Sequence, residues 1–127
     1  MVESIKEIQN QFDSRYICVG NSICDMVKAM KELYGIEKML HTTESLALLG
    51  VHEALNPDTG KQLYTNDMTR KAALEEFLAN NTEYQESKAR ARSLEIAIEQ
   101  IKLTMELHNR KMRFLQALIP AFVVTTE

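Results

Sequence analysis

The stretch TEYQESKARARSLEIAIEQIKLTMELHNRKMRFLQALI, residues 82–119, decides the fold. With Tyr84 as position a of a seven-residue repeat, the a series continues Ala91, Ile98, Met105, Met112 and Ile119, and the d series is Ser87, Leu94, Ile101, His108 and Leu115. Residues three and four apart share one face of an α-helix, so this spacing predicts an amphipathic helix over about 83–118. No Pro or Gly interrupts it between Thr82 and Pro120. About 36 residues at about 1.5 Å each give a rod of roughly 54 Å, whereas a compact globule of this chain length is roughly 36 Å across. The apolar seam of such a rod needs cover from an antiparallel helix of the same chain, from a second copy, or from both, and both are expected.

The amino-terminal segment supplies a matching helix. With Ile5 as a, the later a positions are Phe12, Val19, Met26, Leu33 and Leu40, all apolar. The d series (Ile8, Arg15, Ser22, Ala29, Ile36) is more polar, and Tyr16, Ile23 and Met30 widen the apolar stripe on the e side. Gly20-Asn21-Ser22 joins a weak helix former to two cap-type residues, so a kink or two helices of roughly 15 residues each stand level with one rod, and Gly35 loosens the last turns. Thr42 and Thr43 are candidate caps for a short buried helix carrying Leu46, Leu48, Leu49, Val51 and Leu55. Asn56-Pro57-Asp58-Thr59-Gly60 reads as a turn in which Asp58 bonds its own backbone and Gly60 takes positive φ, within a connection spanning 56–65. Thr65 or Asn66 then caps a helix of three to four turns, with Asp67 complementing its dipole, and Thr82 with Gln85 forms the capping-box pattern that opens the long helix.

Composition supports an all-α reading. The chain has 127 residues, 45% apolar and only 6% aromatic, with four Gly, two Pro and no Trp. That is too apolar for disorder and too poor in turn formers for a sandwich or barrel. The expectation is one helical domain over 1–127, an elongated hairpin or bundle that oligomerises, ending in an apolar tail over 120–127 that needs cover. An acid at Glu3 stands where a secretion signal carries positive charge, and no apolar run of membrane-spanning length follows, so a cytoplasmic location without membrane contact is expected. Cys18 and Cys24, six residues apart, point to different helix faces and are expected as partly buried thiols.

Motifs of catalysis are incomplete. Asp58-Thr59-Gly60 is the tripeptide of aspartic proteases, but polar turn residues flank it where buried strands would have to. His52-Glu53 begins a zinc-protease helix, yet the required second His position holds Asn56. No Glu-x-x-His pair, nucleophile elbow or phosphate-cradling Gly loop exists. The reading is therefore a non-enzyme with no cofactor and no metal.

The formal charge of −3 provides no global pull toward nucleic acid. Local charge differs: Lys88 to Arg113 holds seven basic and three acidic residues, and Lys88, Arg90, Arg92, Lys111 and Arg113 flank the seam as a candidate phosphate-contacting ridge. Glu95, Glu99 and Glu106 dilute it, and no aromatic residue is placed there to stack bases. A solvated face with ion pairs such as Glu95 to the turn of Arg92 and Glu99 is favoured. The candidate oligomer or partner interface is Ile98, Ile101, Met105, His108, Met112, Leu115, Leu118, Ile119 and Phe122. His108 at a d position is either a register-fixing or a merely satisfied interfacial His. Met26, Met30, Met39, Met105 and Met112 lie on or near the stripes, as core fillers first and as adaptable binding surface second.

The segment Asn56-Pro57-Asp58-Thr59-Gly60-Lys61, Thr65-Asn66-Asp67, Arg70-Lys71-Ala72-Ala73-Leu74 and Glu83-Tyr84-Gln85, leading into a long helix, resembles small helical proteins of unassigned role in bacterial and phage genomes. The likeness covers residues 56–115 and carries over no functional residue. Such proteins often sit near recombination and replication functions, so the resemblance implies an accessory role on DNA. The leading expectation remains a protein-interaction module (adaptor, structural or regulatory) acting as a homo-oligomer with an unknown protein partner. DNA accessory function and a small-molecule or lipid carrier with a Met-lined cavity are the alternatives.

Overall fold

A computed structural model describes the backbone of residues 2–126 and the side chains of residues 4–120. Three helices make up the chain: α1 (Val2–Glu53), α2 (Asp67–Asn80) and α3 (Thr82–Thr126). Among the described residues no strand forms; Leu55 and Gln62 make one isolated antiparallel bridge. No described helix is long and apolar enough to cross a membrane. The chain divides into two compact units, residues 1–31 with 95–127, and residues 32–94.

In the first unit, the amino-terminal part of α1 packs against the carboxy-terminal part of α3 with opposite chain directions. Gln9, Phe12 and Asp13 border the same shallow groove as Gln116 and Ile119, and Arg15 meets His108. The covered side chains are those of the heptad seams: Ile8, Ile98 and Leu115 are buried, while Phe12, Val19, Met26, Ile101, Met105 and Met112 are half-buried. The d positions of α1 hold Arg15, Ser22 and Ala29, and all three are half-buried, so polar or small residues sit in the seam without ending the helix.

In the second unit, residues 32–53 of α1, the connection 54–66, α2 and residues 82–94 of α3 enclose Ala47, Val51, Tyr84, Ala91 and Leu94. The connection closes on itself: Asn56 N–H donates to the Lys61 carbonyl at 2.8 Å and Gly60 N–H to the Asn56 carbonyl at 2.8 Å. Gly60 takes φ +66°, the left-handed conformation that a side chain disfavours. Asn66 opens α2 with a capping box, accepting from Thr69 N–H at 2.8 Å, and Asp67 follows in the first turn as expected.

Several local expectations are overturned. At Gly20-Asn21-Ser22, where one rod and two helices were both open, α1 is one continuous helix, which also runs through Gly35, because seam contacts outweigh the roughly 1 kcal/mol disfavour of an interior Gly. Thr42 and Thr43 cap nothing; the helix runs through them and their hydroxyls donate to the Lys38 and Met39 carbonyls four residues back. Leu46, Leu48, Leu49 and Leu55 are exposed, and only Val51 of that cluster is buried, since one face of the helix is covered. Tyr16, Ile23 and Met30 do not widen the core; all three are exposed. In the turn, Asn56 rather than Asp58 makes the Asx bond, its Oδ1 accepting from Asp58 N–H at 2.9 Å. Asn81, not Thr82, caps α3, its Oδ1 accepting from Tyr84 N–H at 3.0 Å. Asn81 is the single residue between α2 and α3, and its own N–H donates to the Leu78 carbonyl, so it terminates one helix and starts the next. α3 extends past the expected 118 to Thr126 with Pro120 inside it, and the apolar side chains of the tail beyond residue 120, Phe122 included, lie outside the described residues.

Candidate interaction faces

The interface residues proposed from the sequence occupy the seam of the first unit, apart from Phe122, which lies outside the described side chains. Ile98 and Leu115 are buried, and Ile101, Met105, His108, Met112, Leu118 and Ile119 are half-buried. The segment of α1 in that unit supplies cover for this face. At its centre Arg15 Nη1 donates to His108 Nδ1 at 3.2 Å, which places the proton of a neutral imidazole on Nε2. The two d-position polar residues thus share a hydrogen bond across the seam.

What stays open in this unit are a face of α3 outside the a/d series and the side of α1 expected to widen its stripe. On α3, Ile96, Leu103, Leu107 and Phe114 are 54%, 61%, 65% and 57% exposed. On α1, Tyr16, Ile23, Val27 and Met30 are exposed at spacings of seven, four and three, another helix-face pattern. The signal for both was present as a second, weaker apolar periodicity alongside the a/d series.

The basic ridge is divided between the units, and much of it has partners. Arg90 Nε and Nη2 donate to the two carboxylate oxygens of Glu32 at 2.9 and 3.1 Å, which holds the guanidinium pKa above its ordinary value through that hydrogen bond and the carboxylate charge. Lys88 places its ammonium 5.9 Å from the Tyr84 ring centre, and Lys111 lies 5.7 Å from that of Phe114. Arg92 and Arg113 are exposed. The acids on this helix bond along it instead of as expected for Glu95: Glu99 with Lys102 at 3.4 Å and Glu106 with Arg110 at 2.6 Å.

In the second unit an open apolar groove of about 550 Å³ is lined by Leu46, Ala47, Val51, Ala73 and Phe77, with Tyr64 and Asn81 at its polar margin. Among the described residues no Met lines it. Beside it, the hydroxyl of the Tyr84 side chain donates to Glu44 Oε1; this bond, then desolvation, then the carboxylate charge push the phenol up to about 12. The pair crosses from α1 to α3 and fixes their register within this unit.

Among the described residues no group of His, Cys, Asp and Glu is placed to hold a metal ion. His41 and His52 are exposed, Asp58 is exposed in its turn, and Cys18 and Cys24 are free thiols, the first half-buried and the second exposed. No family model, curated protein or solved structure matches the chain.

Proposed function

We infer that this chain is a non-enzymatic helical protein-interaction module, adaptor, structural or regulatory, that acts as an oligomer. The carrying observation is the pair of aligned, exposed apolar faces in the first unit, on helices whose seam side is already covered within the chain. Scattered surface apolars are ordinary, but rows of large ones at helix-face spacing are the sequence form of a helix-docking surface. The bonded state of Arg90 against Glu32 weighs against the ridge as a phosphate track, because binding phosphate there requires breaking an existing bidentate pair. Oligomerisation coupled to folding makes the thermal midpoint rise with protein concentration. A melting series over a hundredfold concentration range therefore tests the reading, and a midpoint that does not move contradicts it.

A second reading, a carrier of a small apolar molecule, is favoured by the groove of the second unit, whose size suits a ligand with a few polar contacts. Native mass spectrometry of gently purified protein tests it: a retained adduct lost on Phe77→Asp is expected, and a bare chain mass contradicts it.

A further inference from the structure

The open face of α3 has an internal symmetry. Ile96, Leu103, Leu107 and Phe114 are spaced by seven, four and seven, which reads the same in both chain directions. They occupy the f and c positions of the repeat, about opposite the a/d face that packs on α1 in the first unit. Gln100 and Arg110 fill the intervening positions on the same face.

We propose that this face docks on the same face of a second copy of the chain, antiparallel, about a two-fold axis between Leu103 and Leu107. The proposal rests on the oligomer reading above and names the surface that makes the contact. Antiparallel alignment sets Ile96 against Phe114 of the partner copy, Leu103 against Leu107, and Gln100 against Arg110. Each face then buries its large apolar residues against the partner's equivalents, as an isologous interface requires.

Charge selects both the occupant and the direction. Along the b edge of this face the amino-terminal end carries Glu99 and the carboxy-terminal end Arg113, with Glu106 between them, and Arg110 and Lys111 add positive charge at the carboxy-terminal end. Parallel docking sets like charges together; antiparallel docking sets the acidic end of each copy against the basic end of the other. Glu99 and Arg113, both exposed, border the apolar row on the same side and meet across the two-fold, once on each side of the axis. Glu106, on the same edge, meets its own equivalent at the two-fold and is neutralised there by Arg110 of its own chain at 2.6 Å, while Lys102 pairs with Glu99 away from the apolar row.

Sedimentation equilibrium of the intact chain tests this with a charge-reversal cycle. Glu99→Arg alone and Arg113→Glu alone each replace two attractive contacts per dimer with repulsive ones and weaken dimerisation on the order of tenfold. The double variant carrying both restores it to near the wild-type value. Leu103→Glu with Leu107→Glu abolishes the dimer while far-ultraviolet circular dichroism keeps the wild-type helicity, because both side chains are already exposed in the single chain. A wild-type chain that sediments as a monomer overturns this proposal and the oligomer reading together. A dimer indifferent to the two leucine changes overturns the proposed face and leaves the oligomer reading standing. A dimer lost with the leucines but not restored by the double charge reversal overturns the antiparallel register.

Discussion

Tyr84 shows how one side chain couples packing to pH. Its hydroxyl is bonded to Glu44, and its pKa is pushed up to about 12, above the ordinary phenol value. The folded protein therefore holds this proton at pH values where the unfolded chain has released it. The contribution is fully present below about pH 10 and is lost as pH rises from 10 to 12. A denaturation series across this range is expected to show stability falling steeply in the wild type and less steeply in Tyr84→Phe, with the late phenolate absorbance step absent from the variant. Equal slopes in the two proteins would show that Glu44 does not hold the proton. Arg15 and His108 illustrate a different economy of polar groups: each is half-buried at a d position, and each answers the other's hydrogen-bonding need.

At the level of elements, α1 and α3 were legible because the a and d positions repeat over many turns, and the structure covers those same positions. Boundaries were less legible. Gly20, Gly35 and the Thr42-Thr43 pair look like stops only when local propensity is weighed without the long seam that holds the helix together. Asn81 was hidden by its neighbours: Asn80, Asn81 and Thr82 are all plausible caps, and the geometry of a one-residue joint between α2 and α3 selects among them. Leu46, Leu48, Leu49 and Leu55 were misplaced because apolar residues around a whole helix signal burial, whereas here one side is left open. Two variants measure these statements. A Cβ added at Gly35 meets nothing within 4 Å, so Gly35→Ala is expected to stabilise by about 0.5–1 kcal/mol and raise the midpoint by about 2–4 °C; a lowered midpoint would indicate strain at that turn. Asn81→Ala removes the cap acceptor and is expected to cost about 1–2 kcal/mol, measured by chemical denaturation; an unchanged value would mean that Gln85, whose side chain reaches the Leu78 carbonyl at 2.9 Å, holds the joint alone.

For the whole molecule, the sequence pointed to a helical protein whose seams need cover, and the structure divides that demand. Part of it is met inside the chain, where the a/d residues of each unit are covered, Leu115 most completely at 2% exposure. The rest lies on faces at other heptad positions: the a/d series leaves Ile96, Leu103, Leu107 and Phe114 out, and Tyr16, Ile23 and Met30, expected beside the seam, stay exposed with Val27. The expected interface and the open faces were therefore different sets of residues on the same helices. Light scattering during size exclusion, on the wild type and on Leu103→Glu at matched concentrations of tens of micromolar, tests the central claim most directly. The account predicts a particle of about twice the 14.6 kDa chain mass for the wild type and a single-chain particle for the variant. A wild-type particle of one chain, or a variant with the wild-type mass, would contradict it.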